Sequence, residues 1–373
     1  MLLTEGQPFD AEKFEQSLQN LRNLRIFRSV SGEVSSTPND TVHINVTIQE
    51  KQTLLPFFRA KQGGGSTLLV LGIGDLNTLG KGFELLPMYE NLNGKYHGGR
   101  LDTHIPHISN SQLTLDGSVA NEARSHCLYS ATGGSAGTFV ERTSALKIAA
   151  EYPLNNSFDI LGANSLLQTK MENIEKTTLN TNARIQLSSS IGIGYGHINY
   201  NDYRLEGSRI TLRFENIKPE NSNSSQNMQL ETKSFWQPFS GVDIALKTSF
   251  FFITNNASLL NNCSIGGFGE VRGFLDERYR GTTCWFANAE FRKIAYSHPW
   301  YVLQPTVFAD AGRATTNASQ KAFQWQKDPA SVGGGVRVIF PYLARLILRM
   351  DLGVPMSPSE TAPSISLGST QFF

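Results

Sequence analysis

Residues 209–215 read RITLRFE, residues 242–247 read VDIALK, and residues 348–352 read LRMDL. Apolar side chains occupy every second position in these stretches, which is the period of a β-strand. Each strand therefore has one apolar face and one face that carries charge. In a soluble sandwich the polar face meets water, whereas in a membrane barrel it faces the lumen and the apolar face meets lipid. Periodicity alone leaves both arrangements open.

The composition favours the barrel. The 373 residues carry 33 Lys+Arg against 32 Asp+Glu, and a net charge of +1 gives no reason to expect a nucleic-acid partner. Charged residues make up 17%, below the roughly 25% of ordinary soluble domains, while glycine and phenylalanine are plentiful. These proportions suit strands with an apolar outer face and aromatic girdles. We find no apolar run of about 18 residues, so a spanning helix is not expected.

About sixteen alternating runs follow residue 52, separated by turn-rich stretches. The sequence thus predicts an all-β fold, a transmembrane antiparallel β-barrel of about sixteen strands over residues 53–373, with a soluble β-sandwich as the non-membrane alternative. The even number of strands and the C-terminal aromatic residue Phe373 favour the barrel. The predicted strands lie near 54–63, 66–76, 81–91, 95–107, 111–124, 140–152, 156–171, 183–200, 203–217, 227–238, 241–254, 283–294, 300–312, 331–340, 344–354 and 364–373.

Residues 1–52 read as a small α+β unit. Asp10 is the expected N-cap of a helix whose apolar residues recur at helical spacing, namely Phe14, Leu18, Leu21 and Leu24. Two strands follow near 28–35 and 41–50. The start of the chain lacks the basic and apolar regions of a signal peptide. Because an outer-membrane protein needs one for export, we expect that the true N-terminus is missing.

Residues 266–274 read GGFGEVRGF. The run Val271, Arg272, Gly273 and Phe274 resembles the Val-Arg-Gly-Phe/Tyr motif of the BamA/TamA superfamily, which also contains the two-partner-secretion transporters. The family carries this motif at the tip of its sixth extracellular loop, which folds back into the barrel lumen. Here it lies between the eleventh and twelfth predicted strands, where a sixteen-stranded barrel has its sixth such loop.

Further matches follow in the family's order. Residues 285–292 resemble its twelfth strand with an inward acid at Glu290, residues 307–312 its thirteenth with Asp310, and residues 331–337 its fourteenth. Residues 75–82 resemble a turn near the start of the barrel. Residues 9–30 resemble the second helix and next strand of a POTRA domain. The resemblance therefore implies that residues 1–52 are a partial POTRA domain, without its first strand and most of its first helix; either the chain is truncated or a partner completes the sheet.

The resemblance also implies a role for the motif arginine. In the family it pairs with acids at the positions of Glu290 and Asp310, so Arg272 would hold loop six inside the lumen. The planar fork of a guanidinium suits two carboxylates on neighbouring strands. The alternative is that these are separate solvated lumen charges. Cys263 and Cys284 bracket the motif, 21 residues apart, and form a candidate disulfide in an oxidising compartment; unpaired cysteines are the alternative.

No catalytic residue, metal site or cofactor is expected. Residues 133–137 fit the Gly-x-Ser-x-Gly pattern of hydrolases, but that motif needs a helix after it, and we interpret the segment as a flexible loop. His104 and His107 form a His-x-x-His pair without a clear third ligand. The chain is therefore not expected to be an enzyme.

The function that the resemblance implies is assembly, insertion or translocation at the bacterial outer membrane, with the POTRA remnant in the periplasm. The expected partners are the lipid bilayer, unfolded outer-membrane or secreted polypeptides, and a periplasmic or inner-membrane protein that binds the POTRA region. A poorly paired seam between the first and last strands would template an incoming strand. The predicted seam residues are Leu54, Leu55, Phe57, Phe58, Ile365, Leu367 and Phe373.

Two other functions remain open at this point. One is a two-partner-secretion pore for a polypeptide, since those transporters share the loop-six motif and Asp310. The other is a passive barrel with a plugged lumen.

Overall fold

The computed structural model describes residues 3–36, 41–63, 66–106, 108, 111–129, 135–175, 182–201, 203–221, 223–254, 262–267, 269–316, 324, 327–356 and 363–368. These ranges contain the helix α1 (Ala11–Asn23) and strands that we number in chain order. The strands are β1 (Phe27–Ser36), β2 (Val42–Glu50), β3 (Leu54–Gly63), β4 (Ser66–Thr78), β5 (Phe83–Leu92), β6 (Tyr96–Ile105), β7 (Thr114–Tyr129), β8 (Ser135–Pro153), β9 (Phe158–Glu175), β10 (Arg184–Tyr195), β11 (Ile198–Asn201), β12 (Arg204–Pro219), β13 (Ser225–Phe239), β14 (Val242–Thr254), β15 (Cys263–Ile265), β16 (Tyr279–Gly281), β17 (Thr283–Lys293), β18 (Tyr296–Ser297), β19 (Val302–Thr315), β20 (Ala330–Ile339), β21 (Ile347–Pro355) and β22 (Ser364–Gly368).

Among the described strands, those from β3 onward form a closed antiparallel barrel, except β15 and β16, which form a separate two-stranded hairpin. Two short strands extend others: β11 continues β10 along β12, and β18 continues β17 along β19. Counted this way the described barrel has sixteen strands, and β22 lies next to β3. The predicted fold class is confirmed.

The β7–β8 hairpin is longer than the sequence predicted. Its residue pairing continues from Thr114↔Glu151 to Tyr129↔Ser135. The interpretation of residues 133–137 as a loop was therefore wrong for its second half, where Ser135 begins β8. Small residues and glycine in this stretch look like turn residues, but strand pairing with β7 overrides that local preference.

The barrel has an apolar outside. On β10 the outward positions include Ile191, which is 63% exposed and pairs with the exposed Phe214 of β12. The inward neighbours include Ser188, which is buried and donates to Glu215. A continuous exposed apolar surface around a polar interior is the arrangement of a membrane barrel, opposite to that of a soluble sandwich.

The N-terminal unit packs helix α1 on the β1–β2 hairpin. Asp10 caps the helix by accepting hydrogen bonds from the backbone N–H groups of Glu12 and Lys13, which confirms the predicted N-cap. Its small core centres on Phe14, Leu18 and Val30. Nothing in the described ranges forms a helix long and apolar enough to span a bilayer.

The N-terminal unit is fastened to one end of the barrel, which we call the junction end. Gln52 bridges to Leu343 in the turn between β20 and β21. The side chain of Arg345 in the same turn binds Glu84 on β5 at 2.8 Å and donates to the backbone oxygen of Leu24 at 3.3 Å. The turns at the opposite end, which we call the loop end, include the long segment between β14 and β17.

Candidate functional site: the infolded loop

The segment between β14 and β17, which we call loop six, returns into the barrel and builds an apolar core there. Its short β15–β16 hairpin leads to the tip at residues 271–274. Val271 and Phe274 are almost completely buried and pack with Ile265, also on the loop, and with Cys284 and Phe286 on the barrel strand β17. The loop therefore has a hydrophobic attachment to one wall of the barrel.

Arg272 lies between the two acids that the sequence named. Its Nε and Nη2 donate to the two oxygens of Asp310 at 2.8 and 2.9 Å, and its Nη1 donates to Glu290 at 2.5 Å. Its backbone N–H also donates to Asp310 at 3.1 Å. The guanidinium lies 3.5 Å above the ring centroid of Phe308. This is a bidentate contact that fixes both position and orientation.

The surrounding charge network is larger than the sequence predicted. Asp351 on β21 approaches Arg272 at 3.5 Å and binds Arg337 on β20 at 2.5 Å. Arg292 binds the second oxygen of Glu290 at 2.6 Å. With Arg349, which lies 3.5 Å from Asp351, the cluster holds four guanidinium groups and three carboxylates, all nearly inaccessible to solvent.

The sequence contained a signal for these additional residues. Arg337, Arg349 and Asp351 occupy charged positions of alternating strands, and alternation places them all on the lumen face. Which lumen charges meet depends on strand register, and the register pairs Arg337 with Arg349 and Gly335 with Asp351. Register cannot be read from one strand alone. Burial of such pairs adds little net stability, so the network serves mainly to define position.

Glycine residues on β20, on β21 and in the loop allow the backbone of the loop-six tip to pack directly against the barrel wall. In the pairing register Glu290 lies opposite Phe308, Phe308 opposite Gly333, and Gly333 opposite Gly353. The row thus passes from two large side chains to two positions without one. A Cβ on Gly353 would lie 2.6 Å from the backbone nitrogen of Gly273, which itself has a positive φ of 94°. The loop backbone can approach β21 this closely only because both residues are glycine.

A disulfide joins Cys263 to Cys284, with Cα atoms 6.1 Å apart. Cys263 belongs to the loop hairpin and Cys284 to β17, so the bond ties the loop covalently to the barrel wall. Cys127 on β7 is not part of this disulfide. Together with the apolar core, the disulfide holds the part of loop six that precedes the tip.

The loop also reaches the opposite wall. Glu277 accepts from His126 on β7 at 2.7 Å, and the other ring nitrogen of His126 lies 2.7 Å from Glu141 on β8. Arg280 on the loop binds Glu277 as well, and the ring of Phe139 stacks on His126 at 4.8 Å. Loop six therefore spans the lumen, with Arg272 at one wall and Glu277 at the other. The sequence reasoning missed this second contact.

The residues predicted for the seam fall into two groups. Leu54, Phe58, Ile365 and Leu367 are exposed on the outer surface. Leu55 is buried at the junction end with Ile26, Leu76 and Ala344, and Phe57 packs against the same cluster. Phe373 lies outside the described residues. The outer part of the predicted seam is thus apolar and exposed, whereas Leu55 and Phe57 anchor β3 to the N-terminal unit.

The lumen at the junction end contains a cavity of about 550 Å³ with lining charges of both signs, including Arg100, Asp102 and Arg213. Arg25, in the turn after α1, reaches into it. Burial, together with the charge of Arg345, lowers the pKa of the Arg25 guanidinium.

His104 on β6 binds Asp116 at 2.7 Å, and His107 lies outside the described residues. No metal-type cluster of three His, Cys, Asp or Glu side chains occurs in the ranges described.

An apolar-faced barrel of sixteen strands with a loop held in its lumen defines a class of outer-membrane protein in which the loop is a structural part of the barrel. Family comparison agrees: residues 77–368 match the Omp85 superfamily domain, and residues 1–51 match the POTRA family described as surface antigen variable number repeat. The chain belongs to the Omp85 superfamily. It is an outer-membrane barrel of the insertion or secretion kind.

Solved structures share the fold. BamA from Haemophilus ducreyi lacking POTRA domains 1–3 is 17% identical with a TM-score of 0.59, covering 98% of this chain and 80% of that one. CdiB from Acinetobacter baumannii is 13% identical with a TM-score of 0.67, covering 98% and 69%. CdiB from Escherichia coli is 13% identical with a TM-score of 0.66, covering 97% and 70%. The search of curated protein sequences gives no match.

Proposed function

We propose that this protein is a non-enzymatic assembly factor of the BamA/TamA type, which inserts client polypeptides into the bacterial outer membrane at the β22–β3 seam. The observation that carries the proposal is the distribution of the buried charge network. Its members lie on loop six and on β17, β19, β20 and β21. The described part of β22, residues 364–368, contains no charged residue.

On one side of the seam, the charge network holds the strands up to β21 but does not include β22. Arg272 and Arg337 hold Asp351 on β21, and Asp351 pairs with Ser366 on β22. The described pairing of β22 with β21 covers five residue pairs, from Arg349↔Gly368 to Gly353↔Ser364. Ladder hydrogen bonds and apolar contacts are therefore what hold β22. A strand held in this way can separate from β3 at the seam and expose its backbone edge to an incoming strand.

The other side of the seam is anchored at only one end. Leu55 and Phe57 attach β3 to the junction-end cluster, whereas β3 ends in Gly63 at the loop end. Glycine weakens a strand. We place the N-terminal POTRA unit in the periplasm, where it would bind client polypeptides or a periplasmic partner.

Site-specific photo-crosslinking in the protein's own host tests this function. A photo-reactive amino acid at Ile365 should capture unfolded outer-membrane clients during their assembly. The matched control is Ile191 on β10, which is 63% exposed against 62% for Ile365 but faces lipid away from the seam. Depletion of the protein should also reduce the heat-modifiable, folded forms of other barrels. Equal adducts at both positions, or normal barrels after depletion, would contradict the proposal.

The second candidate is a polypeptide-secretion pore, and the charged lumen cavity is the observation that favours it. A passing hydrophilic polypeptide would contact lining residues such as Ser118 and Arg213 rather than the seam. The photo-reactive amino acid placed at Ser118 should then capture a single exported protein. Depletion should remove that protein from the medium and leave the other barrels folded.

A further inference from the structure

A second site lies outside loop six, where the N-terminal unit meets the barrel. Arg28 is the second residue of β1, and its guanidinium carbon lies 3.8 Å from the ring centroid of Tyr342. Tyr342 belongs to the turn between β20 and β21, and its ring packs against Trp300 with centroids 4.8 Å apart and ring planes tilted by 30°. The cation therefore comes from the N-terminal unit, while the aromatic platform beneath it comes from two turns of the barrel.

The stacking leaves the hydrogen-bonding edge of Arg28 available. A guanidinium that lies over a ring uses its face, and its five N–H donors point outward in its plane. Among the described residues, Arg28 meets no hydrogen-bond acceptor or carboxylate partner. An arginine presented in this way is suited to a two-point contact with a phosphate or carboxylate.

A pocket of about 280 Å³ lies beside this arginine. Arg22 and Arg28 both line it, with Phe27 and Tyr200 as apolar walls, and none of its described lining residues is acidic. Arg22 uses one nitrogen to donate to the backbone oxygen of Val30 at 3.2 Å, which fixes its side chain at the pocket. Two guanidinium groups beside a pocket whose described lining holds no acidic side chain favour an anionic ligand.

The neighbouring aromatic side chains indicate which anion is near. Trp300 is 65% exposed at the junction-end rim of the barrel. Tyr296 is also exposed there, and it pairs with Leu303, which faces outward. Tyr301 packs against Tyr296, with ring centroids 5.7 Å apart. Tryptophan and tyrosine concentrate at the headgroup level of a bilayer. Arg28 therefore lies at the depth where lipid phosphates are found.

We propose that Arg28, Arg22 and the Tyr342–Trp300 platform form a binding site for the phosphate of a phospholipid in the leaflet on the junction side. The bound lipid contacts both the N-terminal unit and the barrel, so it fixes the angle between them. The site does not depend on whether the barrel inserts or secretes polypeptides.

Native mass spectrometry of the detergent-purified full chain tests the site with dioleoylphosphatidylglycerol and with dioleoylglycerol, which lacks the phosphate. The phospholipid should bind, and Arg28→Gln should weaken it roughly tenfold, as expected for losing a charged two-point contact. Tyr342→Leu keeps the charge but removes the platform, and should weaken binding about threefold. Lys13→Gln changes an exposed cation of the same domain and should leave binding unchanged.

Each variant is first checked for a folded barrel by heat-modifiable gel mobility. If Arg28→Gln does not fold, Tyr342→Leu decides the question. Equal binding of the two lipids would overturn the proposed site. So would unchanged phospholipid binding in both Arg28→Gln and Tyr342→Leu. Displacement of the lipid by inorganic phosphate would identify a site for soluble anions. Displacement by a peptide with a free C-terminal carboxylate, but not by its amide, would identify a peptide site; either result overturns the lipid assignment.

Discussion

Arg272 and Asp310 make three hydrogen bonds to each other: two from the guanidinium at 2.8 and 2.9 Å and one from the backbone N–H at 3.1 Å. One carboxylate on β19 thus fixes both the side chain and the backbone of the loop-six tip. Asn288 on β17 supports this arrangement, because its amide donates to Asp310 at 2.9 Å and to the backbone oxygen of Glu270 at 2.6 Å. The tip is therefore held at one height in the lumen.

Removing the arginine should release the tip. Arg272→Gln leaves Glu290 and Asp310 buried with less positive charge around them. Removing one partner of a buried ion pair lowers the free energy of unfolding by about 3–5 kcal/mol. We expect a lower unfolding temperature on heat-modifiable gels and faster tryptic cleavage at Arg278 and Arg280. Arg272→Lys keeps the charge without the planar fork and should lie between. Arg59→Gln, on an exposed arginine of β3, is the control, and an equal effect there would contradict the assignment.

The glycine row gives a second, steric test. Gly353→Ala adds a methyl carbon only 2.6 Å from the backbone nitrogen of Gly273. Overpacking of this kind costs about 1–3 kcal/mol, and we expect the loop to be displaced and cleaved faster by trypsin. The control is Gly162→Ala on the outward face of β9, where the nearest atom would lie 4.0 Å from the new methyl group. A stable Gly353→Ala barrel with a protected loop would show that the tip does not need this contact.

The disulfide should matter to the loop rather than to the barrel as a whole. Cys263→Ser removes the covalent tie between the β15–β16 hairpin and β17. A cross-link that closes a loop of this size contributes roughly 2–4 kcal/mol, so loop six should become more susceptible to trypsin. Reductant should give the wild type the same susceptibility and change Cys263→Ser no further. Cys127→Ser alters the cysteine outside the disulfide and should leave loop six unchanged; an effect there would mean that a different thiol reaction is involved.

The sequence predicted the parts of the site that depend on short stretches. Alternation identified the strands, and the VRGF motif with Glu290 and Asp310 identified the core of the Arg272 cluster through family resemblance. It did not identify Asp351 as a third acid, because that requires the register between β20 and β21. Nor did it show that Leu55 faces the junction rather than the seam, since burial there comes from packing against Ala344.

The contact at the opposite wall was beyond sequence reasoning for a different reason. His126 and Glu277 are 151 positions apart and meet only because loop six crosses the lumen. Neither residue lies in a recognisable motif. Closed barrels bring distant positions together across their interior, and no local period encodes which ones.

The His126 contact predicts a pH dependence. Both ring nitrogens lie 2.7 Å from a carboxylate, of Glu141 on β8 and Glu277 on the loop, so only the imidazolium can donate to both. Arg280 also faces the ring, at 3.2 Å, and Phe139 covers it. The stabilisation is fully present below the usual imidazole pKa of about 6.5 and is lost at higher pH, when the ring gives up its proton.

The unfolding temperature of the wild type relative to His126→Gln measures this contribution, because other pH effects are common to both proteins. We expect the wild type to exceed the variant clearly at about pH 5 and the difference to shrink at about pH 9. Glu277→Gln should reduce the same difference, and the double variant should show a coupling of about 0.5–3 kcal/mol. A difference that stays constant with pH would mean that His126 contributes through stacking on Phe139 and neutral hydrogen bonds, not through a protonated ring that pairs with Glu141 and Glu277.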